Sequence, residues 1–185
     1  LRRKVLNIQP QLPSGASTPT VSDDFGDVFG IYYGLTADDG FTYEEMVLAN
    51  LVRRSDKNGK ANYYDNFRNR VMFPIIDLRG NVTAFSGRVL DDSKPKYINT
   101  DDTPVYKKSR TLFSMNFAKN ENGGRIILAE GNLDVISLYQ AGFTNAVASC
   151  GTALTSEQAR MISQYASEVV IAYDSDSAGR IATQK

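Results

Sequence analysis

From residue 125 onward the chain alternates strand-like and helix-like segments without a break, and this alternation limits the fold more than any other feature. "RIILA" (125–129) is an apolar run, and the helix expected over 132–141 stops at Gly142. "NAVAS" (145–149) is the next strand. A helix over 155–166 follows, with Thr155 and Gln158 spaced as a capping box. "EVVIAY" (168–173) is the third strand, and a last helix opens near Ser177. Strands separated by helices cannot pair as tight hairpins, so the order βαβαβ predicts right-handed crossovers and a parallel, doubly wound sheet. The expected fold class is α/β.

Upstream the pattern is different. Residues 9–24, "QPQLPSGASTPTVSDD", are rich in Pro, Ser and Thr and poor in apolar residues, so 1–24 reads as a linker or a poorly ordered segment. "FTYEEMVLANLV" (41–52) has helical apolar spacing behind a Thr42–Glu45 capping box. "RVMFPIIDLRGNVTAFSGRVL" (70–90) is two β-rich runs around a Gly-Asn turn, a predicted hairpin in which Pro74 demands an edge or a bulge. The polar stretch 91–109 carries too many turn residues for a regular element.

Composition removes whole classes of chemistry. The 185 residues include one cysteine and no histidine, so the chain can form no internal disulfide, no zinc-finger site and no Ser-His or Cys-His pair. No apolar run reaches the roughly 18 residues of a membrane span, and the expected location is the cytoplasm. The formal net charge of zero conceals segregation: residues 53–110 hold thirteen Lys/Arg against seven Asp/Glu, while the segments on either side are acidic. A basic stretch followed by an acidic one suits a polyanion track beside a metal site, and equally a salt-bridged solvated surface.

The acids fall where an open α/β sheet places its ligands, at the carboxyl ends of strands. Glu130 follows the first strand, Asp134 lies in the first turn of the next helix, and Asp174 and Asp176 follow the third strand. With strand order 2-1-3 they converge on one rim. An acid at a helix N-terminus is also favoured by capping and by the helix dipole, so each of the four has a structural reading. Gathered together they do not, since two carboxylates about 4 Å apart repel by roughly 4 kcal/mol at an effective dielectric near 20. Oxygen donors without His or Cys point to Mg2+ or Mn2+. No G-x-G-x-x-G or Walker loop is present. "SCGTALT" before the second helix reads as an anion cradle or as a tight turn, and Cys150 within it as a small buried hydrophobe.

"LAEGNLDVISLYQAG" followed by "AYDSDSAG" resembles the Toprim metal site of primases, topoisomerases and some nucleases. "YYDNFRNRVMFPIIDLRGNVTAFSGRVL", "KPKYINT" and "VYKKSRTLF" narrow the resemblance to the catalytic core of DnaG-type DNA primases, from Tyr63 to Gly179. The resemblance implies an N-terminal basic lobe over 25–118 and a truncated Toprim domain over 119–185. It implies that Glu130, Asp174 and Asp176 bind metal, that Asp134 belongs to the same catalytic cluster, and that Arg70, Arg88, Lys96, Asn99 and Lys108 contact nucleotide or template. Asn132 stands where the family has an aromatic and Ser86 where it has glycine.

The implied activity is RNA primer synthesis from NTPs on a single-stranded DNA template. The family's zinc ribbon, its third acidic motif and its C-terminal domain for the replicative helicase lie outside these residues, so the chain is expected to be a fragment without zinc. Another Toprim enzyme, a nuclease or a topoisomerase, is the alternative enzyme reading. A fragment that only binds nucleic acid is the non-enzymatic one.

Overall fold

The computed structural model describes residues 42–57, 59–121, 124–151 and 153–174. Thr42 opens helix α1 (Tyr43–Leu48) with the expected capping box, Glu45 N–H donating to Thr42 Oγ1 at 3.2 Å and Thr42 N–H to Glu45 Oε2 at 2.8 Å. The helix is shorter than its apolar spacing predicts. Asn50 takes the left-handed region (φ 60°) and Val52 already begins strand β1. β1 (Val52–Lys57) and β2 (Lys60–Asp65) form an antiparallel ribbon, which the sequence did not announce because Val52 is its one buried apolar residue.

The expected hairpin is present as β3 (Val71–Ile76) and β4 (Val82–Arg88). Asp77 organises its turn, accepting from the N–H groups of Arg79 and Asn81, both at 2.8 Å, while Gly80 supplies φ 97°. A third strand, β5 (Tyr97–Asn99), lies within the stretch read as irregular; the sheet order is β3-β4-β5, so Pro74 sits on an edge strand as its missing N–H requires.

A 3-10 turn (Lys108–Arg110) leads to β6 (Leu112–Phe113) and a short helix α2 (Met115–Ala118). The alternating region then follows the predicted order: β7 (Arg125–Ala129), α3 (Asn132–Gln140), β8 (Ala146–Ser149), α4 (Ser156–Ser163) and β9 (Glu168–Ala172). The helix expected near Ser177 lies outside the described residues. The sheet order is β6-β8-β7-β9, with β7 parallel to both β8 and β9. The sheet is mixed rather than wholly parallel, because β6 runs antiparallel along β8. Two apolar residues preceding a helix gave no sign of that pairing.

By contact density the chain divides into two compact units. Among the described residues, one comprises 42–74 with Gly87–Ile98, and the other Ile75–Ser86 with 99–174. In the second, Leu112, Met115, Ala118, Ile126, Leu128, Val147 and Ile162 form the buried core beneath the β7–β8 strands. Cys150 is 3% exposed and burial pushes its thiol pKa up, as suits a small core residue.

Candidate active site

In the second unit the chain leaves β7 toward β8 on one side and returns by α4 to β9 on the other. The crevice at the carboxyl ends of β7 and β9 is therefore the switch point of the sheet. The register aligns Ala129 with Ala172, so the residues that follow, Glu130 and Tyr173–Asp174, emerge side by side. The Asp174 N–H donates to Glu130 Oε2 at 3.4 Å, and both residues are exposed. Tyr173, half-buried against the core, has its phenol pKa raised by burial and further by the Glu130 charge.

Asp134 is engaged locally. Its Oδ2 accepts from the Gly131 N–H at 2.9 Å, half of a capping box whose other half glycine has no side chain to make. Among the described residues no three acidic, histidine or cysteine side chains gather as a metal site, and Asp176 lies outside them. Glu130 and Asp174 are thus brought together, while Asp134 caps the helix behind them. Two carboxylate-bearing residues on one rim, with no nitrogen or sulfur donor, fit a hard divalent cation.

Lys108 and Asn99 belong to the same unit. Lys108 Nζ lies 3.3 Å from Asp101 Oδ1, and its N–H donates to Asp102 at 3.0 Å, which leaves its cation at the surface of a loop pinned from below. The pin is Gln158, fully buried on α4. Its Nε2 donates to the carbonyls of Lys108 (2.9 Å) and Thr111 (2.8 Å), and its Oε1 accepts from Thr155 N–H (3.0 Å). The capping signal for α4 was legible; its second task was not. The Asn99 amide lies over Gly151, whose φ is 81°, so close that a Cβ there would stand 2.6 Å from Asn99 Nδ2.

Arg70, Arg88 and Lys96 belong to the first unit. Arg88 spreads its guanidinium over Tyr97, 5.7 Å from the ring centroid, and its buried Nε has no hydrogen-bond partner. Lys96 is exposed, and its backbone carbonyl accepts from Val89 N–H at 3.1 Å. Arg70, expected among the nucleotide or template contacts, is 6% exposed: Nη1 donates to the carbonyls of Gly87 (3.1 Å) and Lys96 (3.2 Å), and Nη2 to Pro95 (2.7 Å). Its guanidinium is occupied by the backbone that carries Lys96. Burial lowers its pKa. Of the two departures from the family pattern, Ser86 is 1% and Asn132 9% exposed, so both are accommodated inside the fold.

Residues 30–119 match the family model for the DNA primase catalytic core, N-terminal domain, and residues 127–185 match the Toprim-like model. A DNA primase of Clostridium acetobutylicum is 52% identical over 145 residues, 78% of this chain and 24% of the relative. A solved DnaG primase catalytic domain bound to ssDNA superposes with a TM-score of 0.72 at 36% identity, covering 81% of this chain and 47% of that one. The RNA polymerase domain of Mycobacterium tuberculosis primase DnaG, in complex with a double-stranded DNA oligomer bearing a 6-nucleotide overhang, superposes with 0.73 at 34% identity, covering 84% and 51%. The chain spans about a quarter of the curated relative's length and about half that of the solved domains.

Proposed function

The chain belongs to the DnaG-type DNA primase catalytic-core family, with the N-terminal domain and part of the Toprim domain, and on that premise we propose that it contributes the active site of an RNA-primer-synthesising polymerase. The observation that carries this reading is the meeting of Glu130 and Asp174 at the sheet's switch point, across 44 residues of sequence. Glu130 and Asp174, joined by Asp176, are the residues that would hold Mg2+ or Mn2+. A divalent ion there supplies charge neutralisation for a transferring phosphoryl group.

The remaining steps belong to the chain's own residues. Arg88, Lys96 and Lys108 hold the triphosphate and the single-stranded template by charge, with Asn99 as a polar contact. Arg70 sets the backbone from which Lys96 projects, and Asp134 fixes the start of the helix behind Glu130. The primer 3′-oxygen bonds to the α-phosphorus of the incoming NTP as the bond to pyrophosphate breaks. With no histidine in the chain, the hydroxyl proton leaves to a carboxylate of the rim or to solvent. The replicative helicase is the partner we assign to a further region of the longer protein. Among the described residues no helix is long and apolar enough to cross a membrane.

Primer synthesis by the full-length protein tests this reading. Glu130→Gln is expected to abolish incorporation of NTPs on a single-stranded template at every Mg2+ concentration while leaving oligonucleotide binding intact. Incorporation at the wild-type rate would remove Glu130 from the chemistry.

A further inference from the structure

In the second unit, beside the β3–β4 turn, lies a cavity that the proposed chemistry leaves unused. Its volume is about 250 Å³, and its apolar walls come from Leu78 of the turn, Val105, Leu112, Met115 of α2 and Met161 of α4. None of the acids or bases assigned to metal, nucleotide or template lines it. The polar side chains that reach it are turned to the protein's own backbone. Thr111 Oγ1 donates to the Lys107 carbonyl at 2.9 Å, and Thr83 Oγ1 to that of Ile75 at 3.4 Å. Asp77 is taken up by the turn, its Oδ1 accepting from the N–H groups of Arg79 and Asn81 and its Oδ2 from Asn81 Nδ2 at 3.0 Å.

One wall is fixed before anything binds. Lys119 Nζ donates to the Leu78 carbonyl, which together with the Asp77 turn holds Leu78 and Arg79 in place. The floor adapts: Met115 is buried and Met161 half-buried, and unbranched thioether side chains fit more than one apolar shape. Val105, 71% exposed, extends the apolar surface to the mouth. Arg79 and Arg110 stand at the rim, both exposed, and among the described residues neither guanidinium is held in an ion pair. The two cations outweigh the single carboxylate of Asp77.

The cavity discriminates among occupants. Small-molecule sites run from roughly 300 to 1,000 Å³ and converge polar groups on the ligand, so a nucleotide or cofactor finds too little volume and no polar group to spare. A nucleic-acid base finds no ring to stack on, since among the described residues no aromatic side chain lines the cavity. A bulky apolar side chain on a peptide, with carboxylates beside it, matches both the apolar floor and the cationic rim. We infer that this cavity is a docking site for an acidic segment of a partner protein, which seats one bulky apolar side chain between Leu78, Met115 and Met161 and sets its flanking carboxylates against Arg79 and Arg110. The inference goes beyond the polymerase reading and does not depend on the acid at Glu130.

The test is the anisotropy of a fluorescein-labelled peptide, Asp-Asp-Leu-Phe-Asp-Asp, titrated with the full-length protein. Saturable binding is expected. Arg79→Glu with Arg110→Glu is expected to weaken it about 10-fold or more, because like charges then face each other, and Val105→Asp, at an exposed position, about 5-fold or more. Replacing Leu-Phe of the peptide by Ser-Ser is expected to cost about 10-fold or more. Primer synthesis is expected to be unchanged by these variants, which separates a failure of this inference from a failure of the polymerase reading. No saturation below about 100 μM protein overturns the inference. So does equal affinity for wild type and a folded Arg79→Glu/Arg110→Glu or Val105→Asp protein, and so does a Ser-Ser peptide bound as tightly as the original, which would make the rim a non-specific basic patch. Arg110 closes the turn that begins at Lys108, so oligo-dT binding is measured in parallel. Displacement of the peptide by oligo-dT, with loss of oligo-dT affinity in Arg79→Glu/Arg110→Glu, would assign the two arginines to the template and overturn the inference as well.

Discussion

The N–H of Asp174 reaches a carboxylate oxygen of Glu130 at 3.4 Å, joining the ends of two parallel strands that are far apart in sequence. The contact exists because β9 returns to the free side of β7 after β8 has taken the other. Tyr173, between Asp174 and the strand, is half-buried and lies within the field of Glu130.

That field is measurable. Burial first and the Glu130 charge second hold the Tyr173 pKa above the usual phenol value. Stability from this group is therefore fully present below the unfolded phenol value, about 10, and is lost as pH rises through the folded one. Glu130→Gln removes the charge but not the burial, so Tyr173 is expected to ionise at lower pH than in wild type. Because the chain has ten tyrosines, the titration is read as the phenolate absorbance difference between each protein and its Tyr173→Phe counterpart. An unmoved transition would mean that Glu130 does not face Tyr173 in solution.

Arg70 gives a second expectation. Three carbonyls from two segments converge on one buried guanidinium. Lysine has a single ammonium and cannot span them, so Arg70→Lys should lower unfolding free energy in urea by about 1.5–3 kcal/mol, the worth of hydrogen bonds to a charged group. A loss below the scatter of the extrapolation would show that the carbonyls find water instead.

Gln158 makes the third. Gln158→Leu keeps much of the buried volume but orphans Thr155 N–H and the carbonyls of Lys108 and Thr111, at about 1–3 kcal/mol in urea unfolding. If the side chain also positions the Lys108 turn, the same variant will weaken oligonucleotide binding as Lys108→Ala does, and combining the two will add little. Full additivity would restrict Gln158 to stability.

The alternation after residue 125, the capping boxes at Thr42 and Thr155 and the Asp77–Asn81 turn were all legible in the chain, because each is a local match of periodicity or hydrogen-bonding groups to backbone geometry. The four acids could be named as candidates for the same reason, since strand ends are visible in one dimension. Tertiary structure alone decided the rest. Whether Glu130 meets Asp174 depends on which side of β7 the third strand joins, and Asp134 chose its own helix start over a neighbouring acid. Nothing beside Arg70 in the chain marks it as buried, because the carbonyls that close around it are 17 to 26 residues away. The β1–β2 ribbon has no apolar alternation to betray it, and only its register decides which side chains share a face. Hydrogen bonds between distant segments and the assignment of side chains to faces are properties of pairing, and pairing partners are not encoded in any short window of sequence.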